Sequence, residues 1–200
     1  SGENMDAAVK RECHATRTSV GIFDASTLGK IEVVGPDAAE FLHRMYTNPI
    51  HSLKVGRCRY CLMLGEDGFI RDDGIIARRA DDRFHVTTTT GGASHVLAVM
   101  EDYLQTEWPD LVVWRTSITE QYATVALNGV NARRVLAPLT EGLDISRACF
   151  RHMDMANATI AGLPARIFRI SFTGELGFEI NVPASHGLDL WNALLESGAR

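Results

Sequence analysis

The chain has 200 residues, with 20 Lys or Arg against 25 Asp or Glu and a formal net charge of -5. That balance argues against a polyanion-binding surface, and so against nucleic acid as partner. A hydrophobic content of 46% is enough for the core of one large domain or two small ones, and no run approaches the ~18 apolar residues of a membrane span.

The residues from Ser1 onward carry no secretory-leader pattern, so none is expected. The four cysteines, at 13, 58, 61 and 149, suit a cytoplasmic protein with free thiols better than a disulfide scaffold. Cys58 and Cys61 have metal-ligand spacing, but no second such pair exists and on a strand they face opposite ways, so no metal is expected.

Residues 3–19 have a mildly amphipathic helical pattern that Gly21 ends. Residues 22–24 lead through Ala25-Ser26-Thr27 into a strand over 28–34. Gly35-Pro36-Asp37 turns into a short helix over 38–44, with Asp37 as its cap and Glu40 three residues on. Pro49 closes that region, and 50–58 is loop.

A hairpin from Arg59 to Thr90 follows and frames the chain. Asp67-Gly68 between apolar runs is a strong turn signal, and Ala80-Asp81-Asp82-Arg83 makes the second turn of a three-stranded meander. A helix is expected over 94–107, with Val96, Val99, Met100, Tyr103 and Leu104 on one face. Strands are expected at 111–114 and 120–127, a helix at 131–136 and a short one near Ile145. Two further strands flank Gly162-Leu163-Pro164. Thr173 to Gly177 is a loop, 178–182 a strand, and 185–196 a helix carrying Leu188, Leu190, Trp191 and Leu194. The tail Gly198-Ala199-Arg200 reads as a cut end.

Strands and helices mix without a βαβ repeat, which gives an α+β fold of mostly antiparallel sheet with packed helices. No G-x-G-x-x-G opens a helix after a strand and no Walker sequence occurs, which argues against a dinucleotide fold. No Ser-His-Asp or Cys-His arrangement has a recognisable context.

Asp72 and Asp73 are adjacent on the hairpin, and adjacent strand residues point to opposite faces. One therefore faces inward, where an uncompensated carboxylate is costly; the alternative is a solvated strand end for both. Glu179 alternates with Phe178 and Ile180 and points either into a polar pocket or into water, with Glu175 four residues before it. Thr87 to Thr90 is a run of hydroxyls suited to a strand or to a polar ligand. Arginines 57, 59, 71, 78 and 79 either meet a carboxylated ligand or balance the hairpin acids, the second being the cheaper reading.

The segments Val20-Gly21-Ile22-Phe23-Asp24-Ala25-Ser26, Asp67-Gly68-Phe69-Ile70-Arg71-Asp72-Asp73 and Phe172-Thr173-Gly174-Glu175-Leu176-Gly177-Phe178-Glu179-Ile180 resemble the aminomethyltransferase family, that of the glycine cleavage T-protein. Ser26-Thr27-Leu28-Gly29-Lys30-Ile31, Val34-Gly35-Pro36-Asp37, Thr87-Thr88-Thr89-Thr90 and Tyr103 to Pro109 are more similar to the branch formed by the folate-binding part of sarcosine oxidase alpha subunits. The T-protein itself has histidine where Thr27 stands and asparagine near Thr89.

The resemblance implies a discontinuous first folate-binding subdomain over 1–50 and 117–200 and a second over 51–116. A C-terminal barrel would follow Arg200, with a family arginine that reaches the folate. It implies tetrahydrofolate as the cofactor, with FAD, FMN and NAD elsewhere in a complex with beta, gamma and delta subunits. By resemblance the acid is Asp73, with Asp72 second; Glu179 binds the pterin edge, with Glu175 second. Thr89, Phe172 and Tyr60 are further cofactor contacts, Phe172 replacing a tyrosine and so lacking its hydroxyl. The implied reaction transfers the one-carbon unit of oxidised sarcosine to tetrahydrofolate, and the fragment alone is expected to be inactive. The alternatives are a glycine-cleavage-type aminomethyltransferase, a dimethylglycine or sarcosine dehydrogenase folate domain, and a non-catalytic folate-fold module.

Overall fold

A computed structural model describes residues 2–198; of the expected cut end, Ala199 and Arg200 lie outside the described residues. In chain order the elements are α1 (Met5–Thr18), β1 (Gly21–Asp24), β2 (Gly29–Val34), α2 (Ala38–Met45), β3 (Cys58–Leu64), β4 (Ile70–Ala80) and β5 (Arg83–Thr88). They continue with α3 (Ala93–Thr106), β6 (Trp114–Ser117), β7 (Tyr122–Asn128), α4 (Ala132–Leu136), β8 (Thr140–Glu141), β9 (Met155–Ile160), β10 (Leu163–Phe168), β11 (Gly177–Pro183) and α5 (Gly187–Glu196). Every strand pair is antiparallel, as the α+β reading requires. No described helix is long and apolar enough to cross a membrane.

Two compact units divide the chain, one of Ser1–Ser26 with Tyr122–Arg200, the other Thr27–Gln121. In the first, a six-stranded sheet runs in the order β1-β7-β11-β10-β9-β8. Its inward residues, Val125 and Leu127 of β7, Ile167 of β10 and Phe178, Ile180 and Val182 of β11, meet Leu190 and Leu194 of α5 in one core. Asn4 caps α1, its Oδ1 accepting from the Ala7 N–H at 2.9 Å. In the second unit, the order is β3-β4-β5-β2-β6. Ile31 and Val33 of β2, Ile76 of β4 and Phe84 and Val86 of β5 pack there with Phe41 and Leu42 of α2 and Val96 and Met100 of α3.

The contact boundaries fall at 26/27 and 121/122, whereas the family resemblance implies boundaries at 50/51 and 116/117. The cause is strand pairing: β2 is hydrogen-bonded to β5 on one side and β6 on the other, which draws residues 27–34 into the second unit.

Three local expectations change. Asp37 makes no side-chain cap to α2; its Oδ2 accepts from the Val112 N–H at 2.8 Å. A Cβ at Gly35, where φ is +144°, would stand 2.2 Å from the Val112 oxygen, so this turn receives residues 111–113 at close quarters. Those residues are held there instead of in a ladder, and the strand expected at 111–114 begins only at Trp114. The segment near Ile145 is turn and bend, not helix. Leu188 is exposed, whereas Leu190 and Leu194 face the core.

Phe41 is fully buried and meets Trp108 edge-on at 6.1 Å, while Phe69 sits exposed in the β3–β4 turn. In the full-length protein, Phe41→Ala should lose about 3–5 kcal/mol of unfolding free energy in urea, and Phe69→Ala less than about 0.5 kcal/mol. Equal losses would contradict this core.

Candidate functional site

β4 is the second strand of its sheet, flanked by β3 and β5. Alternation along it sends Asp72 inward, opposite Met63, and Asp73 to the other face, opposite Leu62. Asp72 is only 4% exposed. The Thr89 hydroxyl donates to its Oδ1 at 2.6 Å, and the Thr89 N–H lies 3.3 Å from both oxygens. The same Thr89 hydroxyl accepts from the Gly92 N–H at 3.1 Å, just before α3. A Cβ at Gly92 would stand 2.2 Å from Asp72 Oδ1, so only glycine lets the carboxylate reach this turn. Burial pushes the Asp72 pKa up, the Thr89 bonds pull it back, and the Asp73 charge adds a smaller upward push.

Asp73 is half-buried, and its Oδ2 accepts from the exposed Tyr60 hydroxyl at 2.7 Å. That bond raises the Tyr60 pKa. The Tyr46 hydroxyl is buried without a hydrogen-bond partner; its pKa is raised first by burial, then by the negative charge of Asp72. The hairpin arginines are largely committed locally. Arg71 pairs with Asp67 at 2.6 Å and Arg79 with Glu32, while Arg78 donates to the carbonyls of Leu53 at 3.0 Å and Asp81 at 2.6 Å. A cavity of about 230 Å³ in this unit is lined by Arg44, Tyr103 and Trp108 among others, and by neither aspartate.

In the first unit, Glu179 of β11 lies in register with Ala126 of β7 and Phe168 of β10, half-buried on the face opposite Phe178. On that same face Thr124 donates to Asn181 at 2.7 Å, and Arg166 donates to the Tyr122 hydroxyl at 3.2 Å. Thr124, Asn181 and Arg166 are all buried. β11 is thus apolar on one side and polar on the other. Glu175 stands apart from this row: its Oε1 takes Arg17 of α1 at 2.7 Å. Phe172 is 85% exposed and meets the Phe23 ring edge-on, at 6.3 Å.

The structure therefore places Asp72, Asp73, Tyr60 and Thr89 around one hairpin, and Glu179, Glu175 and Phe172 on and before one strand of the other unit. Sequence reasoning passed over the buried polar row Thr124, Arg166 and Asn181. Its signal was available in the alternation Tyr122, Thr124, Ala126 and in Glu179, Asn181. It also passed over Lys30, which is buried and donates from Nζ to the Leu28 carbonyl at 2.8 Å. A lysine alternating along β2 carries no sign of burial.

Comparison with known proteins bears on this geometry. The chain is 56% identical over 198 residues to the sarcosine oxidase subunit alpha of Corynebacterium sp. (strain U-96), covering 98% of this chain and 20% of that protein. It is 34% identical over 192 residues to the aminomethyltransferase of Halalkalibacterium halodurans, covering 96% of this chain and 51% of that one. It thus spans a fifth of the oxidase subunit's length and about half of the transferase's. The crystal structure of the glycine cleavage system aminomethyltransferase T of Bartonella henselae superposes with a TM-score of 0.80 at 31% identity, over 92% of this chain and 48% of that one. A chain of the heterotetrameric sarcosine oxidase of Corynebacterium sp. U-96 shares the fold, with a TM-score of 0.68 at 14% identity over 96% of this chain and 91% of that one. The profile of the GCVT N-terminal domain matches residues 1–200, and the chain belongs to that family.

Proposed function

We propose that this chain is the tetrahydrofolate-binding part of a sarcosine oxidase alpha-type subunit. It would support transfer of the one-carbon unit of oxidised sarcosine to tetrahydrofolate, giving 5,10-methylenetetrahydrofolate and glycine. The observation that carries the reading is the 56% identity, sustained over 198 residues, to an oxidase alpha subunit. In the full protein, sarcosine is oxidised to its imine at a flavin outside this chain. FAD, FMN, NAD and the beta, gamma and delta subunits belong to that larger cytoplasmic assembly. A stand-alone aminomethyltransferase is the second reading, favoured by the 0.80 TM-score to the Bartonella enzyme.

The residues present suit a reduced pterin. Glu179, half-buried on the polar face of β11, offers paired acceptor oxygens for a pterin amino group and ring N–H. The open ring of Phe172 offers a flat apolar surface. When bound, tetrahydrofolate supplies the two nitrogens that take the methylene carbon and give up two protons to the departing glycine, so the exchange needs no added oxidant or acid.

The two hairpin acids divide the remaining work. Asp73 is reachable and oriented by Tyr60, and it holds the positive charge or proton of the reacting amine. Asp72 is enclosed and takes the Thr89 hydroxyl, and it shapes the turn into α3 beneath its neighbour. Thr89 gives its proton to Asp72, so towards the cofactor it offers an acceptor lone pair and no donor. Glu175, paired with Arg17, serves the loop that precedes β11.

Three outcomes follow for the full-length protein. In calorimetric titration with tetrahydrofolate, Asp73→Asn should keep sarcosine oxidation while cutting the methylenetetrahydrofolate yield at least about a hundredfold, the scale of a lost general acid–base group. Unchanged folate affinity and unchanged yield in both Asp73→Asn and Asp72→Asn would sink the acid assignment. Glu179→Gln should weaken folate binding about tenfold, and Glu175→Gln should leave it unchanged, at a stability cost of ~1 kcal/mol or less for the partly exposed Arg17 pair.

The third outcome concerns pH. Burial lifts the folded-state pKa of Asp72 above 3.8, so the folded protein holds that proton more tightly than the unfolded chain does. Its contribution is complete below the unfolded value and is lost as pH rises through the folded one. The thermal midpoint of the wild type relative to Asp72→Asn should therefore fall as pH rises from about 4. A difference independent of pH would show that the carboxylate titrates normally.

A further inference from the structure

A second cavity, of about 520 Å³, opens in the first unit and is lined by four arginines, Arg133, Arg147, Arg151 and Arg169, with His152 and no Asp or Glu. In a chain with more acids than bases, that concentration of one sign is a local exception. Arg133 and Arg169 are half-buried, and both guanidinium groups lie 5.6 Å from the centroid of the Phe178 ring. The protein holds them with neutral partners. Arg133 donates to the carbonyls of Ile145 at 2.6 Å and Phe150 at 3.5 Å, and Arg169 to that of Gly177 at 3.2 Å. These bonds fix orientation without cancelling charge.

Among the described residues no carboxylate pairs with Arg133, Arg147 or Arg169. Arg151 Nε lies 4.0 Å from Asp154 Oδ2. Arg169 Nε is buried with no hydrogen-bond partner. Burial lowers the pKa of Arg133 and of Arg169; the Arg147 charge lowers the first further and the Arg133 charge the second. Two partly desolvated like charges without a counter-ion, beside the exposed Arg147, are costly, and an oxyanion that accepts their free N–H groups removes the cost.

We propose that Arg133, Arg147 and Arg169 form an oxyanion-binding site for a phosphate- or carboxylate-bearing small molecule. Phe178 and Glu179 point to opposite faces of β11, so this cavity lies across the sheet from the polar row and does not rest on the folate reading.

The test is calorimetric titration of the full-length protein with inorganic phosphate and, separately, with triglutamate, against sodium chloride at matched ionic strength. Saturable binding of at least one probe beyond the chloride reference is expected. Phosphate alone identifies a phosphate-bearing ligand, and triglutamate alone a carboxylate-bearing one. Arg169→Gln should weaken that binding about tenfold, the scale of one lost charge-assisted hydrogen bond. Arg147→Gln, at an exposed position that packs in no core, keeps the fold and should weaken binding about threefold or more. Absence of saturable binding by either probe, or binding that neither substitution weakens, overturns the site.

Discussion

The hydrogen bond from the Thr89 hydroxyl to Asp72 joins β4 to the turn that launches α3. A carboxylate taken from water is destabilising unless donors replace its hydration. Here Thr89 supplies them, through its side chain and its backbone, and the Asp73 backbone adds a smaller contribution. The arrangement leaves no room for a side chain at position 92. It also explains why the neighbouring acid is the reachable one. Once Asp72 is locked inward, the pleat of β4 turns Asp73 the other way, where Tyr60 meets it.

β11 obeys the same rule with a different result. Phe178, Ile180 and Val182 close the apolar core of the first unit. The intervening Glu179 and Asn181 are forced to the reverse face, where Thr124 donates to Asn181 and Arg166 lies in register with it in a buried polar row. A one-residue slip of register would put Glu179 among Phe150 and Ile167 and take Phe178 out of the core. Placement of a carboxylate and stability of the unit are therefore set by one constraint.

Local periodicity, two on the strands and 3.6 on the helices, is also what made most of the fold legible in sequence. The meander over 59–90, the amphipathic α3 and the split of Asp72 from Asp73 follow from local pattern and turn chemistry. What stayed hidden depends on distant partners. Nothing near Glu175 announces Arg17, 158 residues earlier. Asp37 has the sequence context of a cap, yet Val112 claims its carboxylate from 75 residues away. The strand expected at 111–114 shifts for the same reason, because its first residues are held against Gly35. Thr89 looked like a ligand contact in a hydroxyl run, and its proton proved committed to Asp72.

Charge shows the limit of composition most clearly. A net charge of -5 describes the whole chain and none of its surfaces. Arg17, Arg71, Arg79 and Arg115 are each neutralised by a carboxylate, so they balance acids without creating a field. Arg133 and Arg169 lie 36 residues apart in sequence and converge on one aromatic ring, where each donates to backbone carbonyls. Whether an arginine counts towards recognition depends on which oxygen it is given, a charged one or a neutral one. The fold decides that, by bringing α4 and the residue after β10 to the ring of Phe178.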